Sequence, residues 1–184
     1  MTAALILAAG ASTRLGQPKQ LVVLGGETLL ERAVRTAREA GLSPVTVVVH
    51  DAALIEMLQA RGAQVLLNRK FYEGMSTSIH AGVRWAAGMK ANGVVLMTCD
   101  QPAVTAGHLC ALCAEPGSAA GSGYAGKVGI PAYFPSSRFG ELMYLSGDVG
   151  ARAMLRGARV VDCEALGLDI DTEEDLKRAR ELFG

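Results

Sequence analysis

The sequence predicts an α/β protein in which helices cover both faces of a mostly parallel sheet. Through the first 115 residues, short apolar segments alternate with longer amphipathic ones, which is the pattern of consecutive strand–helix–strand units. The apolar segments are continuous, as expected for strands that are buried on both faces. The chain is 50% hydrophobic but only 5% aromatic, so we expect small aliphatic side chains between closely packed layers.

The individual elements follow from local signals. Residues 28–40 have apolar side chains at helical spacing, and Gly41 ends that helix as glycine does beyond a C-terminal cap. Residues 45–49 form a β-branched run and predict a buried strand. The other predicted strands are 5–7, 64–67, 93–98, one near Tyr124, one ending at Phe134, and 159–163. The other predicted helices are 52–60, 75–87, 105–113, two short helices before residue 159, and one that begins at Thr172.

Length and patterning together predict the domain organisation. A chain of 184 residues suits one domain with a sizeable core, and we expect residues 1–184 to form a single domain. Beyond Glu115 the pattern loosens into short, glycine-rich strands. We interpret residues 116–163 as a less regular, substrate-facing section of that domain.

Composition argues against several classes of protein. The 18 Lys and Arg residues balance 18 Asp and Glu residues, so we expect no binding to long nucleic acid or to an anionic membrane through a bulk positive field. No run of eighteen apolar residues predicts a transmembrane helix, and the short apolar run 3–9 lacks the preceding cations of a signal peptide. Four cysteines are too few for a disulfide framework, so we expect a cytoplasmic protein.

The segment after the first predicted strand is rich in small residues. Open α/β sheets bind ligands beyond the carboxyl ends of their strands, so these connecting segments are candidate sites. Residues 7–19 combine small residues, whose N–H groups can approach an anion closely, with the cations Arg14 and Lys19. They contain neither a P-loop nor a dinucleotide-binding glycine pattern. Phosphate binding and an ordinary strand–helix turn with two solvated cations both fit this segment.

Hydroxyl side chains follow the strand predicted at 64–67. Gly74 permits a sharp turn, and Ser76, Thr77 and Ser78 then lie in the first turn of a helix. Exposed N–H groups at such a helix start suit a nucleotide or a phosphate. Helix capping explains the same residues, because Ser and Thr are good helix starters.

An aspartate follows the hydrophobic strand predicted at 93–98. Mg²⁺ binds one or two carboxylates together with phosphate oxygens and water, so Asp100 is a candidate metal ligand. Its alternative role is to cap the turn before Pro102.

A second acidic segment lies near the C-terminus. On a strand, Asp169 and Asp171 would point to one face. Thr172 and Asp175 have the spacing of a capping box, which explains the acids at 173–175 as first-turn residues of a helix. Capping explains Asp169 and Asp171 less well.

The remaining reactive residue types form no catalytic pattern. Cys110 and Cys113 have no second cysteine pair or histidine pair to complete a structural zinc site, and we expect both to pack in the core on one helix face. Redox activity of this pair is the alternative. The three histidines are scattered without a nucleophile pattern, which argues against a serine hydrolase.

Taken together, these segments resemble the molybdenum cofactor cytidylyltransferase group of the MobA-like nucleotidyltransferases. Residues 7–19, LAAGASTRLGQPK, are similar to the family pattern L-A-A-G-x-S-x-R-M-G-x-P-K, with Leu15 in the methionine position. The other similar segments are 68–78 with N-x-x-x-x-x-G-M-x-x-S, 99–102 with C-D-Q-P, 147–152 with G-D-x-G-A-R and 169–172 with the start of D-I-D-T-x-E-D.

The resemblance implies a three-layer, Rossmann-like nucleotidyltransferase fold with a mostly parallel mixed sheet. It also implies Mg²⁺-dependent transfer of a nucleotidyl group from a nucleoside triphosphate to a phosphate monoester, with release of pyrophosphate. The implied site consists of Leu7, Ala8, Ala9 and Gly10 around the base and ribose, the catalytic residues Arg14, Lys19 and Asp100, the nucleoside-binding Ser76 and Ser78, and the Mg²⁺ ligands Asp100 and Asp171.

The same resemblance implies the substrates. The Ala9-Gly10 pair is similar to the CTP-using branch, because the GTP-using relatives usually carry Gly-Gly there. The implied acceptor is molybdopterin that bears molybdenum, and a molybdenum hydroxylase is a possible recipient of the product. The family commonly has G-H-P where this chain has Gly129, Ile130 and Pro131, and isoleucine cannot replace the hydrogen bonds of a histidine towards the acceptor.

Two other functions compete with this interpretation. A pyrophosphorylase acting on a sugar phosphate or an alcohol phosphate would share the first half of the chain and differ in residues 116–163. A non-catalytic carrier would hand finished cofactor to a hydroxylase. The carrier has less need of Arg14, Lys19, Asp100 and Asp171, because it handles neither a triphosphate nor the metal bound to one.

Overall fold

The apolar segments form nine strands in the residues that the computed structural model describes, which are 1–10, 15–148 and 150–184. The strands are β1 (Thr2–Leu7), β2 (Val23–Leu24), β3 (Glu27–Thr28), β4 (Val45–Val49), β5 (Gln64–Leu67), β6 (Gly93–Thr98), β7 (Ala120–Tyr124), β8 (Lys127–Pro135) and β9 (Arg159–Asp162). Strands β2 and β3 form a small hairpin, and the other seven form one sheet in the order β5-β4-β1-β6-β8-β7-β9.

The sheet is mixed but mostly parallel. Neighbours from β5 to β6 are parallel, β8 is antiparallel to both β6 and β7, and β9 is again parallel to β7. The predicted fold class is therefore confirmed. The section 116–163 supplies three strands of this same sheet.

Six α-helices connect or flank the strands in the described residues. They are α1 (Leu29–Glu39), α2 (Leu54–Ala60), α3 (Met75–Gly88), α4 (Ala106–Leu112), α5 (Phe139–Leu142) and α6 (Glu173–Phe183). Short 3-10 helices add Lys19–Leu21, Phe71–Glu73, Ser136–Arg138, Ala151–Leu155 and Glu164–Gly167. Across the described segments, no helix combines the length and the apolarity needed to cross a membrane.

Capping boxes determine where α1 and α6 begin. The Thr28 hydroxyl accepts a hydrogen bond from the backbone N–H of Glu31, and the Glu31 carboxylate accepts one from the N–H of Thr28. Thr172 and Asp175 make the same reciprocal pair at α6, as the sequence predicts. Both pairs satisfy backbone donors that a helix start otherwise leaves without partners.

Two apolar layers enclose the sheet. Along β1, Ala4 and Ile6 face the layer that contains α1, α2 and α4, whereas Leu5 and Leu7 face the layer that contains α3 and α5. Because both faces are covered, the strand is apolar at every position rather than at alternate ones. A third cluster packs the β2–β3 hairpin against α6 and includes the fully buried Ile170.

Most element predictions agree with the structure, and the differences have physical reasons. The strands at 45–49, 64–67 and 93–98 have the predicted bounds, because their apolar runs end at polar or turn-forming residues. The β2–β3 hairpin went unpredicted, since strands of two residues carry no periodicity. Residues 168–171 belong to no strand, so the strand geometry considered for Asp169 and Asp171 is wrong.

The core-packing prediction holds for only one of the two spaced cysteines. Cys113 packs against the core, and burial raises the pKa of its thiol to about 11, so it is a poor nucleophile. Cys110 is exposed, and its thiol approaches the backbone carbonyl of Ala40 at 3.5 Å. The prediction that Cys110 packs in the core is therefore wrong, because the short helix α4 turns that position outward.

A buried histidine links α4 to the sheet. The Ser122 hydroxyl donates to the carbonyl of Pro131 at 2.6 Å, so its oxygen accepts from Nε2–H of His108 at 2.7 Å. Burial lowers the pKa of His108 below its ordinary value, and the folded protein keeps this imidazole neutral.

This histidine should make folding sensitive to acid. The pKa of histidine in the unfolded chain is about 6.5, above that of His108 in the folded protein. The stability that neutral His108 contributes is present above about pH 6.5 and is lost as the pH falls towards the folded-state pKa. In that range the histidine of the unfolded chain binds a proton, whereas His108 of the folded protein stays neutral. We expect the free-energy advantage of wild type over His108→Gln, measured by urea unfolding, to shrink from about pH 7.5 to about pH 5.5. A constant difference would contradict this.

Candidate active site

A cleft of about 450 Å³ opens at the edge of the sheet where β1 and β6 end. Parallel strands present their carboxyl ends at the same edge, which is where ligands bind in open α/β sheets. We call this space the main cleft. The predicted site residues that line it are Leu7, Ala8, Ala9, Gly10, Lys19, Ser78, Asp100 and Asp171.

Three charged side chains meet at one side of the main cleft. The Lys19 ammonium lies 3.1 Å from a carboxylate oxygen of Asp100 and also pairs with the carboxylate of Asp171. Only 16% of the Lys19 side chain is exposed, so it is not the solvated cation of an ordinary turn. Burial disfavours its charged form, but the two carboxylates outweigh this and raise the pKa of Lys19, which therefore stays protonated.

Backbone hydrogen bonds bring these residues together from distant parts of the chain. The N–H of Ile170 donates to the carbonyl of Asp100 at 2.9 Å, and the Gln101 side chain donates to the carbonyl of Leu166 at 3.1 Å. These bonds fasten the segment before α6 to the residues that follow β6. Asp171 consequently reaches Asp100, although neither residue lies on a strand.

The same acidic region perturbs neighbouring groups. Burial, together with repulsion from Asp100, raises the pKa of Asp169 to about 6. Burial also raises the pKa of the Cys99 thiol to about 12, so Cys99 lines the cleft without acting as a nucleophile.

The Asp100–Asp171 pair fits a divalent cation of the Mg²⁺ type. A cation already bridges the two carboxylates, namely the Lys19 ammonium, so their spacing and charge suit a small positive ion. Mg²⁺ takes one or two carboxylates and fills its remaining positions with water and phosphate oxygens. No group of three or more potential metal ligands occurs among the described residues.

Gln20 holds a backbone wall of the main cleft in place. Its side-chain amide donates to the carbonyl of Ala8 at 2.6 Å and to that of Gly10 at 3.3 Å, and only 3% of the residue is exposed. The backbone of residues 8–10 is thereby held in one arrangement. The sequence interpretation missed Gln20, because a glutamine beside a lysine carries no motif of its own.

Replacing Gln20 should weaken nucleotide binding more than turnover. In Gln20→Leu the carbonyls of Ala8 and Gly10 lose both hydrogen bonds, so the cleft wall is no longer fixed before the nucleotide arrives. We expect KM for the nucleotide to rise about tenfold with kcat little changed. Steady-state kinetics test this, with the exposed α2 residue in Gln59→Leu as control. An unchanged KM would exclude a positioning role.

The predicted serines differ in their placement. The Ser78 hydroxyl accepts a hydrogen bond from the buried side-chain amide of Asn68 at 2.9 Å and lines the main cleft. Ser76 is buried outside the cleft lining, and its N–H donates to the carbonyl of Gly147 at 3.0 Å. The start of α3 therefore fastens a neighbouring loop through Ser76. This close approach requires Gly74, since a Cβ there would collide with the backbone of Gly147.

Aromatic side chains also line the main cleft. Phe71 and Tyr72 form an aromatic wall, and the Phe71 ring lies 4.6 Å from that of His50. The sequence interpretation did not single out these aromatic residues. Arg14, which the resemblance assigns to the triphosphate, lies outside the described residues.

A smaller space of about 250 Å³ adjoins the main cleft, and we call it the side cavity. Leu7, Met75 and Asp148 line both spaces. A second substrate bound in the side cavity would therefore lie next to a ligand in the main cleft.

A cleft walled by backbone at the end of β1, with a lysine and two aspartates beside it, suits a nucleotide whose phosphates need compensating positive charge. The chain belongs to the MobA-like NTP transferase domain family, whose model matches residues 4–163. This confirms the resemblance noted in the sequence.

Sequence similarity to individual proteins extends over nearly the whole chain in some cases and over about half of it in others. It is 34% identical to the purine catabolism protein PucB of Bacillus subtilis over 95% of this chain and 93% of that protein. It is also 34% identical to a probable molybdenum cofactor guanylyltransferase of Opitutus terrae, over 55% of this chain and 48% of that protein. Rv0371c from Mycobacterium tuberculosis in complex with manganese superimposes with a TM-score of 0.73, at 30% identity and 98% coverage of both chains.

Proposed function

We propose that this nucleotidyltransferase moves CMP from CTP to the phosphate of the molybdenum cofactor and releases pyrophosphate, with Mg²⁺ as its metal. One observation carries this proposal: Lys19, Asp100 and Asp171 meet beside a cleft, one wall of which is backbone fixed by Gln20. The relative crystallised with manganese supports a divalent metal, and the guanylyltransferase relative supports a molybdopterin-type acceptor.

The reaction requires charge compensation rather than proton transfer. A non-bridging oxygen of the acceptor phosphate attacks the α-phosphorus of CTP and forms a phosphoanhydride. The bond from that phosphorus to the oxygen bridging to the β-phosphate breaks, and pyrophosphate leaves with the bonding electrons. The attacking oxygen is already ionised, so the task is to bring two anions together and to stabilise the leaving group.

The residues of the main cleft suit this task. Asp100 and Asp171 would hold Mg²⁺, which would supply positive charge beside the phosphates. Lys19 holds its proton firmly and would bind the triphosphate if a metal took over its carboxylate partners. Arg14 is assigned to the triphosphate by the family pattern alone.

The rest of the cleft would hold the nucleoside. Leu7, Ala8, Ala9 and Gly10 surround the base and ribose, and Ser78 binds the nucleoside from α3. Ser76 keeps at most an indirect role, because it lies outside the cleft lining. Ala9 lines the cleft at the position where the family resemblance links an Ala-Gly pair to CTP, which supports CTP as the nucleotide.

One assay separates this function from its rivals. Purified protein is incubated with Mg²⁺, each nucleoside triphosphate in turn, and molybdenum cofactor or sugar phosphates, and pyrophosphate release is followed. Release that requires CTP and molybdenum cofactor is the expected result. Release with sugar phosphates alone would identify a pyrophosphorylase, and no release with any triphosphate would favour a cofactor carrier. We place the reaction in the cytosol, which the four unpaired thiols support.

A further inference from the structure

The side cavity combines an apolar floor with a cationic rim. The floor is built by side chains of β1, α3, β6 and β8, and the rim carries Lys127 and Arg152. Asp148 lies at the border shared with the main cleft. The apolar floor residues are Leu7, Ile79, Leu96 and Ile130.

One wall of this cavity is built rigidly. The hydroxyl of Tyr124 donates to the carbonyl of Ile130 at 2.9 Å, and burial raises the pKa of Tyr124, so the donor keeps its proton. A Cβ at Gly129 would lie 2.7 Å from that hydroxyl, so the ring lies directly over Gly129 because no side chain is present there. The wall therefore exists before any ligand binds.

The two rim cations lie on different elements, and both are exposed. Ala125 and Gly126 form a left-handed turn, with φ angles of 50° and 68°, that aligns Lys127 opposite Tyr124. The Lys127 ammonium lies 5.3 Å from the centroid of the Tyr124 ring. Arg152 lies on the 3-10 helix Ala151–Leu155, whose two end residues are buried.

Neither rim cation is held in a salt bridge among the described residues, so both are available to a ligand. Within the part of the chain that the structure describes, neither Lys127 nor Arg152 forms a salt bridge with a carboxylate. Two such charges beside an apolar floor suit a phosphate that is attached to an apolar body. Ile130 offers such a body packing surface but no hydrogen bond.

We propose that Lys127 and Arg152 bind the phosphate of the acceptor, and that the side cavity selects phosphate monoesters whose body packs an apolar face on Ile130. The inference rests on the proposed nucleotidyl transfer and specifies its second substrate. The shared wall of Leu7, Met75 and Asp148 would then bring the acceptor phosphate next to the α-phosphate of the nucleotide.

Kinetics provide the first test. With the acceptor that wild type uses best, Lys127→Ala and Arg152→Ala should each raise KM for the acceptor about tenfold or more, while KM for CTP stays unchanged. Arg156→Ala removes an exposed cation outside both cavities and should behave as wild type. An unchanged acceptor KM in both variants would overturn the proposal.

Direct binding provides a test that does not depend on turnover. The probe is 1-naphthyl phosphate, followed by calorimetry, with inorganic phosphate as the comparison. We expect the probe to bind wild type and Lys19→Met, to remain bound in the presence of CTP, and to be lost from the Lys127→Ala/Arg152→Ala double variant. Binding that survives in the double variant, or no binding to wild type, would refute the assignment.

The two proposals can fail separately. If no triphosphate and acceptor release pyrophosphate, the transferase function fails, and the naphthyl phosphate measurement still decides the side cavity. If the wild-type protein catalyses transfer but KM for the acceptor is unchanged in Lys127→Ala and Arg152→Ala, only the assignment of the acceptor phosphate fails. Near-ultraviolet circular dichroism checks that each variant is folded.

Discussion

Asp100→Ala is expected to abolish Mg²⁺-dependent nucleotidyl transfer, with a loss of at least about 10³-fold in kcat. The substitution removes one of the two carboxylates that meet Lys19, and it leaves Asp171 as the remaining acidic partner from this pair. A single carboxylate holds a hard divalent cation poorly, so the developing charge on pyrophosphate would be left without compensation.

Two measurements check this expectation. Pyrophosphate release gives the rate, and electron paramagnetic resonance titration with Mn²⁺ gives the metal affinity, which should fall together with it. Asp162→Asn is a matched control, because it removes an exposed carboxylate from β9 outside both cavities. Metal-dependent transfer that persists in Asp100→Ala would remove Asp100 from the set of ligands.

Lys19→Met should lower the rate of CTP turnover by about 10²-fold or more, by analogy with the loss of other transition-state charge donors. The methionine keeps much of the length and bulk of lysine but cannot interact electrostatically with a phosphate. Unchanged turnover would remove Lys19 from the mechanism. Lys177→Met, at an exposed position on α6, controls for the general loss of a positive charge.

The same variant should bind metal more tightly when no nucleotide is present. In wild type the Lys19 ammonium occupies the space between the two carboxylates, so an incoming cation must displace it. We expect Mn²⁺ affinity of Lys19→Met to rise about tenfold or more. Equal or weaker affinity would show that the ammonium does not compete with metal for these carboxylates.

The sequence was informative wherever a local signal dictated the outcome. Continuous apolar runs predicted β4, β5 and β6, and the spacing of Thr172 and Asp175 predicted the start of α6. The serine pair shows the limit, because Ser76 and Ser78 belong to the same family pattern. Only the contacts of α3 with the Gly147 loop and with Asn68 separate their roles.

Other features depend on pairings that sequence order conceals. Gln20 acquires its role from the carbonyls of Ala8 and Gly10, which lie 12 and 10 positions away along the chain. The Lys127–Tyr124 contact depends on a turn whose first residue, Ala125, adopts a conformation that alanine rarely takes. Such contacts are set by tertiary structure, and the hydrophobic periodicity of the sequence does not predict them.

Lys19 and Asp171 are far apart in the sequence, which links ligand binding to the stability of the folded chain. They lie 152 positions apart, and Asp171 reaches the site only when the segment before α6 docks on the residues after β6. A partly unfolded molecule in which this segment has detached would lose Asp171, one of the two proposed metal ligands. Ligand binding is therefore linked to the folding of the whole chain, so a bound metal–nucleotide complex would hold both ends of the molecule in the native state.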